Sequence, residues 1–253
     1  SDARAVVLTG QGHIFSAGVD LLQVSAGGAD YLRRFLPMLN RMYEAVFFHP
    51  KPLVAAINGH AIAGGCVLAC CADKRIAAKD GGRIGVTELL VGVPFPAMAF
   101  EVMRFATAPQ YLPDWILRGP TFPPEEALKR GLVDEVVDPA ELMNRALVEA
   151  KALGSLPPET FAMTKQQIRQ PLTDRMAKDA AGIDALGPGR GAQVVLAGGM
   201  AQPFRGVVQS AADAPSGPSL LSLTLVWTGR PLHTPGVRVS SPRVESCMTA
   251  GAH

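Results

Sequence analysis

The chain has 253 residues, 48% of them hydrophobic, enough for one sizeable core or a core with an appendage. Formal net charge is only +2 and lysine and arginine form no run, which argues against nucleic acid as a partner. No opening stretch reads as a signal peptide and no apolar run is long enough to span a bilayer, so a soluble, cytoplasmic protein with no membrane partner is expected.

Residues 4–10 form a short β-branched run closed by glycine, which predicts a buried strand. A loop follows over 11–19. Residues 31–48 place Leu32, Phe35, Leu36, Leu39, Met42 and Val46 on one side, a helical period that Pro50 and Pro52 end. Residues 53–57 read as a second buried strand, turned by Asn58-Gly59. Ala63-Gly64-Gly65 leads into a small-residue helix over 66–71, and 74–78 returns as a strand. Further helices are predicted over 100–106, 109–117, from Pro124, over 140–153 and over 158–170, with a strand near 133–137. Strands alternating with helices predict an α/β fold with partly parallel strands.

From about Gly187 the text turns rich in Gly, Pro and Ser and contains no lysine. The expected organisation is a folded core over 1–178 and a poorly ordered tail over 179–253. Of the four cysteines, Cys66, Cys70 and Cys71 share one apolar stretch. They read as buried thiols in a reducing compartment; no Cys/His spacing suggests a metal site.

Two segments carry most of the chemistry: Phe15-Ser16-Ala17-Gly18-Val19-Asp20-Leu21, and 55–66 with Asn58-Gly59-His60 and Ala63-Gly64-Gly65-Cys66. Each follows a strand, and the second opens a helix. Small residues let the backbone approach a ligand, and a helix start offers free N–H groups to a developing anion. Two such donors meeting on one oxygen make an oxyanion hole, each worth ~10²–10³ in rate. Glu88, among apolar neighbours over 84–92, is the candidate base, with a pKa that burial should raise. Read alone, it is more readily a solvated acid at a strand end.

The two segments and the Glu88 stretch, in this order and separation, resemble the crotonase superfamily, the enoyl-CoA hydratase/isomerase family. The resemblance covers about residues 5–172. It implies the crotonase (ClpP-like) fold: a spiral core of repeated ββα-type units with a helical C-terminal region. It implies an acyl-CoA thioester as the small-molecule substrate, with no further cofactor and no metal. By position, the Val19 and Gly64 N–H groups would hold the enolate oxygen, and Ala17, Val19, Asp20, Leu21, Leu22 and Gly64 would line the thioester. Gly64 matches the middle of a family triplet whose first glycine is here Ala63.

Hydratases of the family carry a second glutamate three residues past the oxyanion glycine, which is Val67 here. With Glu88 as the one carboxylate, the pattern is nearer to the family's single-glutamate isomerases, which move the double bond of a 3-enoyl-CoA into conjugation as the trans-2-enoyl-CoA. Enoyl-CoA hydratase (lyase) chemistry, decarboxylation, thioester hydrolysis, and a non-catalytic acyl-CoA-binding remnant are the alternatives.

Other polar residues carry smaller expectations. His60 is expected to bond a neighbouring loop, and Asp20 to accept from loop backbone. Glu101 is a second acid near the expected pocket. Asp134 and Glu135 read as solvated strand-edge charges. Lys165 and Arg169 read as a solvated helix face that could meet CoA phosphates. The resemblance further implies a homotrimer or hexamer. It also marks two departures: the first strands and helix of the family pattern are missing before Ala5, and the tail reads like translation in a shifted frame.

Overall fold

The computed structural model describes residues 3–93, 95–179 and 220–224. Among the described residues nine strands and seven helices follow one another, grouped by a repeated unit. Strand β1 (Ala5–Thr9), strand β2 (Ile14–Ser16) and helix α1 (Leu21–Phe47) form the first. Strand β3 (Leu53–Ile57), strand β4 (His60–Ile62) and helix α2 (Gly64–Cys70) form the second. Strand β5 (Lys74–Ala78), strand β6 (Ile84–Gly85), a single 3-10 turn (Glu88–Val91) and helix α3 (Ala97–Ala106) form the third.

The first strand of each unit enters one sheet and the second enters another. The larger sheet has the order β8-β5-β3-β1-β9, all parallel, where β8 is Glu135–Val137 and β9 is Leu220–Thr224. The smaller has the order β2-β4-β6-β7; its first three strands are parallel, and β7 (Thr121–Phe122) closes it antiparallel. This is the ββα spiral that the resemblance implied. Helix α4 (Leu112–Arg118) precedes β7, and α5 (Pro124–Lys129) follows it. Helices α6 (Leu142–Gly154) and α7 (Pro158–Asp179) complete the described helices.

Period-two alternation divides the larger sheet between two cores. Ala5, Val7, Val54, Ala56, Ile76 and Ala78 face Leu142, Ala146 and Ala150 of α6. Leu8, Leu53, Ala55, Ile57 and Ala77 face the main core, with Tyr43 and Phe47 of α1, all of Cys66 to Cys71, and Met98, Val102 and Met103 of α3. Full burial of Ala55, Ala56 and Val54 explains why β3 reads as an unbroken apolar run rather than an alternating one.

Helix α1 begins ten residues before its sequence expectation of 31, because Asp20 caps it. The Asp20 Oδ1 accepts from the Leu22 and Gln23 N–H groups at 2.9 and 3.1 Å, an N-cap that supplies the hydrogen bonds the first turn lacks. Gly28, at φ 58°, kinks the helix, and the apolar period becomes regular only beyond that point. Strands β2, β4 and β6 were not legible; at three, three and two residues they are too short to show a period.

The expectation of a poorly ordered tail falls mostly on residues outside those described. One part, Leu220–Thr224, is described, as a strand in parallel register with β1 from Ala5↔Leu220 to Thr9↔Thr224. Among the described residues no helix is long and apolar enough to cross a membrane.

Candidate active site

Three neighbouring parallel strands bring the candidate residues to one edge. β2 pairs with β4 (Ser16↔Ala61), and β4 pairs with β6 (Ile62↔Gly85). The chain leaves β2 into Ala17-Gly18-Val19, leaves β4 into Ala63-Gly64, and leaves β6 towards Glu88. Parallel neighbours release their C-terminal ends side by side, which is where ligands of such sheets bind.

The first two loops are in direct contact. A Cβ added to Gly18, which has φ 82°, would lie 2.9 Å from the Gly64 nitrogen and 3.1 Å from the Ile62 carbonyl oxygen. A Cβ on Gly64 would lie 2.6 Å from the Tyr43 hydroxyl. Both positions need glycine for approach, and Gly18 needs it for its backbone angle as well. The Tyr43 hydroxyl donates to the Gly64 carbonyl oxygen at 3.1 Å and fixes the start of α2 from behind. Gly64 is the first residue of α2, so its N–H has no acceptor within the helix, and among the described residues neither it nor the Val19 N–H has a backbone acceptor. Residues 16–20 and Gly64 are half-buried, open enough to be reached.

Ala63 occupies the position of the family's first glycine, and its backbone keeps a glycine-like conformation, φ 52° and ψ −128°. The methyl group therefore leaves the loop's path intact but places it in a strained region.

Glu88 is 8% exposed, and its Oε2 has no hydrogen-bond partner among the described residues. Burial pushes its carboxyl up to about 7, against the lowering pull of backbone N–H groups at Glu88 and Thr87. Its charge is felt near the start of α2. Tyr43 is raised well above its ordinary value by burial first, then by Cys71 and Glu88. Cys66 is raised by the hydrogen bond it donates to Cys70 and by burial, with the Cys70 and Glu88 charges adding to both. The solvated-acid reading of Glu88 therefore does not hold.

Val67, one turn into α2, is fully buried in the main core. Glu101 is buried too but engaged: Arg175 Nε lies 2.6 Å from one carboxylate oxygen and Arg104 Nη1 3.0 Å from the other. His60 Nδ1 accepts from the Arg83 N–H at 3.2 Å, the loop bond expected of it. Cys66, Cys70 and Cys71 are free and buried; Cys247 lies outside the described residues. Of the proposed thioester lining, Leu21 and Leu22 form the first turn of α1, with Leu22 46% exposed.

Two expectations are corrected. Asp134 is not a solvated charge: its carboxylate takes the Arg75 Nη2 at 2.6 Å and Nε at 3.1 Å, while Glu135 takes Arg145 at 2.8 Å. Lys165 and Arg169 are not a solvated face but are buried against Asp73. Tyr43 was not singled out from sequence. The available signal was its place on the apolar side of α1, four residues after Leu39 and four before Phe47.

Comparison with known proteins gives the family and agrees with the fold. The family model described as enoyl-CoA hydratase/isomerase matches residues 1–185. A putative enoyl-CoA hydratase of Thermus thermophilus is 34% identical over 166 residues, 64% of this chain and 65% of that protein. The chain thus spans slightly less than two thirds of that relative's length. Among solved structures, an enoyl-CoA hydratase of Mycobacterium ulcerans superposes with a TM-score of 0.66 at 30% identity, over 72% of this chain and 79% of that one. Human mitochondrial delta3-delta2-enoyl-CoA isomerase gives 0.65 at 27% identity, over 76% and 74%.

Proposed function

The chain belongs to the enoyl-CoA hydratase/isomerase family, and from that premise we propose that it isomerises 3-enoyl-CoA to trans-2-enoyl-CoA with one carboxylate. The observation that carries the reading is the pairing of a buried Glu88, whose Oε2 has no partner among the described residues, with a fully buried Val67. The thioester carbonyl oxygen would sit between the Val19 and Gly64 N–H groups, which stabilise negative charge as the enolate forms. Glu88 takes a proton from C2. The electron pair moves to form the C2–C3 bond as the former C3–C4 π pair accepts the proton back from Glu88 at C4. Atoms and charge balance with no water consumed.

A carboxyl near 7 suits both halves of that cycle, because it takes and returns a proton with little driving force either way. Hydration needs a second group to hold and activate water. Val67 offers no polar atom at the expected position, and Glu101 is committed to two arginines. Ala17, Asp20, Leu21 and Leu22 belong to the thioester-binding wall in this reading, with Asp20 acting through the cap that sets the loop.

The first step can be tested by itself. Hexanoyl-CoA incubated with the protein in D₂O should exchange its C2 hydrogens for deuterium, read by mass spectrometry. Glu88→Gln should slow that exchange by about 10²–10⁴-fold, the range of a lost general base. Equal exchange in both proteins would assign the base to another group.

A further inference from the structure

Lys165 and Arg169 lie one turn apart on α7 and are only 6% and 3% exposed. One carboxylate serves both: Asp73 Oδ2 is 2.6 Å from Lys165 Nζ, and Oδ1 is 2.7 Å from Arg169 Nη2. Their other acceptors are backbone carbonyls, Lys51 O at 3.1 Å and Cys71 O at 3.3 Å. Arg169 Nη1 is buried with no acceptor among the described residues, its guanidinium stacked on Phe47 at 4.0 Å. Burial pushes Lys165 down to about 8, the response of an ammonium whose lost hydration exceeds what Asp73 returns. Two buried cations thus share a single anion, an arrangement that a further anion would stabilise.

A cavity of about 390 Å³ opens onto this pair. Lys165 and Arg169 form its buried floor, and Phe105, Leu153, Phe161 and Ile168 supply apolar wall. The other charged groups at its edge are Asp73, Lys74, Arg75 and Glu149; Arg75 is held by Asp134, and Glu149 by Arg145 at 2.9 Å. Val19, Gly64 and Glu88 do not line it. It meets α2 at its last residue, Cys70, whereas the oxyanion loop meets the same helix at its first, Gly64.

We infer that this cavity is a second binding site, for a small carboxylate with a short apolar chain. The carboxylate lies against Lys165 and Arg169, and the chain lies along Phe105, Leu153, Phe161 and Ile168. Charge complementarity selects an anion, and the apolar walls select one with a hydrocarbon tail over an inorganic ion. The site stands independently of the reaction at Glu88.

Sodium hexanoate is the probe, titrated calorimetrically into the whole chain beside hexanol as the uncharged control. Thr164 lines the cavity and is exposed, so Thr164→Glu brings a negative charge to the rim without entering the core. Ile168→Glu, at a wall position 59% exposed, is the second variant should the first not fold. Saturable hexanoate binding is expected, weakened about tenfold or more in the variant, with hexanol weaker by a similar factor. Hexanoate bound elsewhere, at the Glu88 site for example, would ignore the new charge. Unchanged binding in the variant, equal binding of hexanol, or no saturable binding would each overturn the inference.

Discussion

Glu88 is held in a site that opposes its charged form. Its raised carboxyl is a statement about stability as well as reactivity. A folded-state value of about 7, above the ordinary 4.5, gives a contribution fully present below 4.5 and lost as pH rises through about 7. At pH 8 the native state therefore carries a buried carboxylate that the unfolded chain would solvate. Glu88→Gln removes that cost while keeping the shape. The variant is expected to melt above the native protein at pH 8, with the gap closing towards pH 5. A gap of the same size at both pH values would show that Glu88 is not buried in its charged form. In activity, the same carboxyl sets a limb of the pH profile near 7, below which the base is protonated. The neighbouring strain at Ala63 makes a separate prediction. Its φ of 52° is a glycine conformation occupied by alanine. Ala63→Gly should raise stability by about 1 kcal/mol, the relieved strain less the greater freedom of an unfolded glycine. Urea denaturation reads this directly, and a loss of stability would mean that the alanine methyl is held by packing.

At the scale of elements, the sequence was legible where burial imposes a period and opaque where it does not. Strands β1, β3 and β5 lie within the larger sheet and read as apolar runs. Strands β2, β4 and β6 aim the site, yet they are held by register with one another rather than by any apolar repeat. The Val19, Gly64 and Glu88 candidates came from the motif, while the exit of their three segments from neighbouring strands needed the strand order. Helix α7 shows the opposite failure. Its length was underestimated by nine residues, from 170 to Asp179, and its inward face was read as solvated. That face is Lys165, Arg169 and Leu172, of which only Leu172 is apolar, so the hydrophobic pattern vanishes although all three are buried. Asp73 is what makes such a face possible. Asp73→Asn leaves two buried cations without their anion and should cost about 3–5 kcal/mol. Replacing all three partners together, Asp73→Leu with Lys165→Met and Arg169→Leu, should cost far less. Comparable losses in the single and triple variants would show that the pair contributes by packing alone.

Taken as a whole, the proposed reading puts proton transfer and anion stabilisation at one end of three short parallel strands, with Val67 where a second catalytic acid would stand. The fold class, the ββα repeat and the family were readable from residues 5–172, because a small set of glycines and one glutamate occur in fixed order. The proposed choice of isomerase over hydratase rests on fewer atoms: Glu88 Oε2, without a partner among the described residues, and the side chain of Val67. Trans-3-hexenoyl-CoA, incubated with the native protein and with Glu88→Gln and followed by product analysis, tests that distinction most directly. The account predicts trans-2-hexenoyl-CoA as the product of the native protein, its near-absence with the variant, and no 3-hydroxyhexanoyl-CoA from either. A hydroxyacyl product, or an undiminished rate in the variant, would contradict the single-carboxylate mechanism.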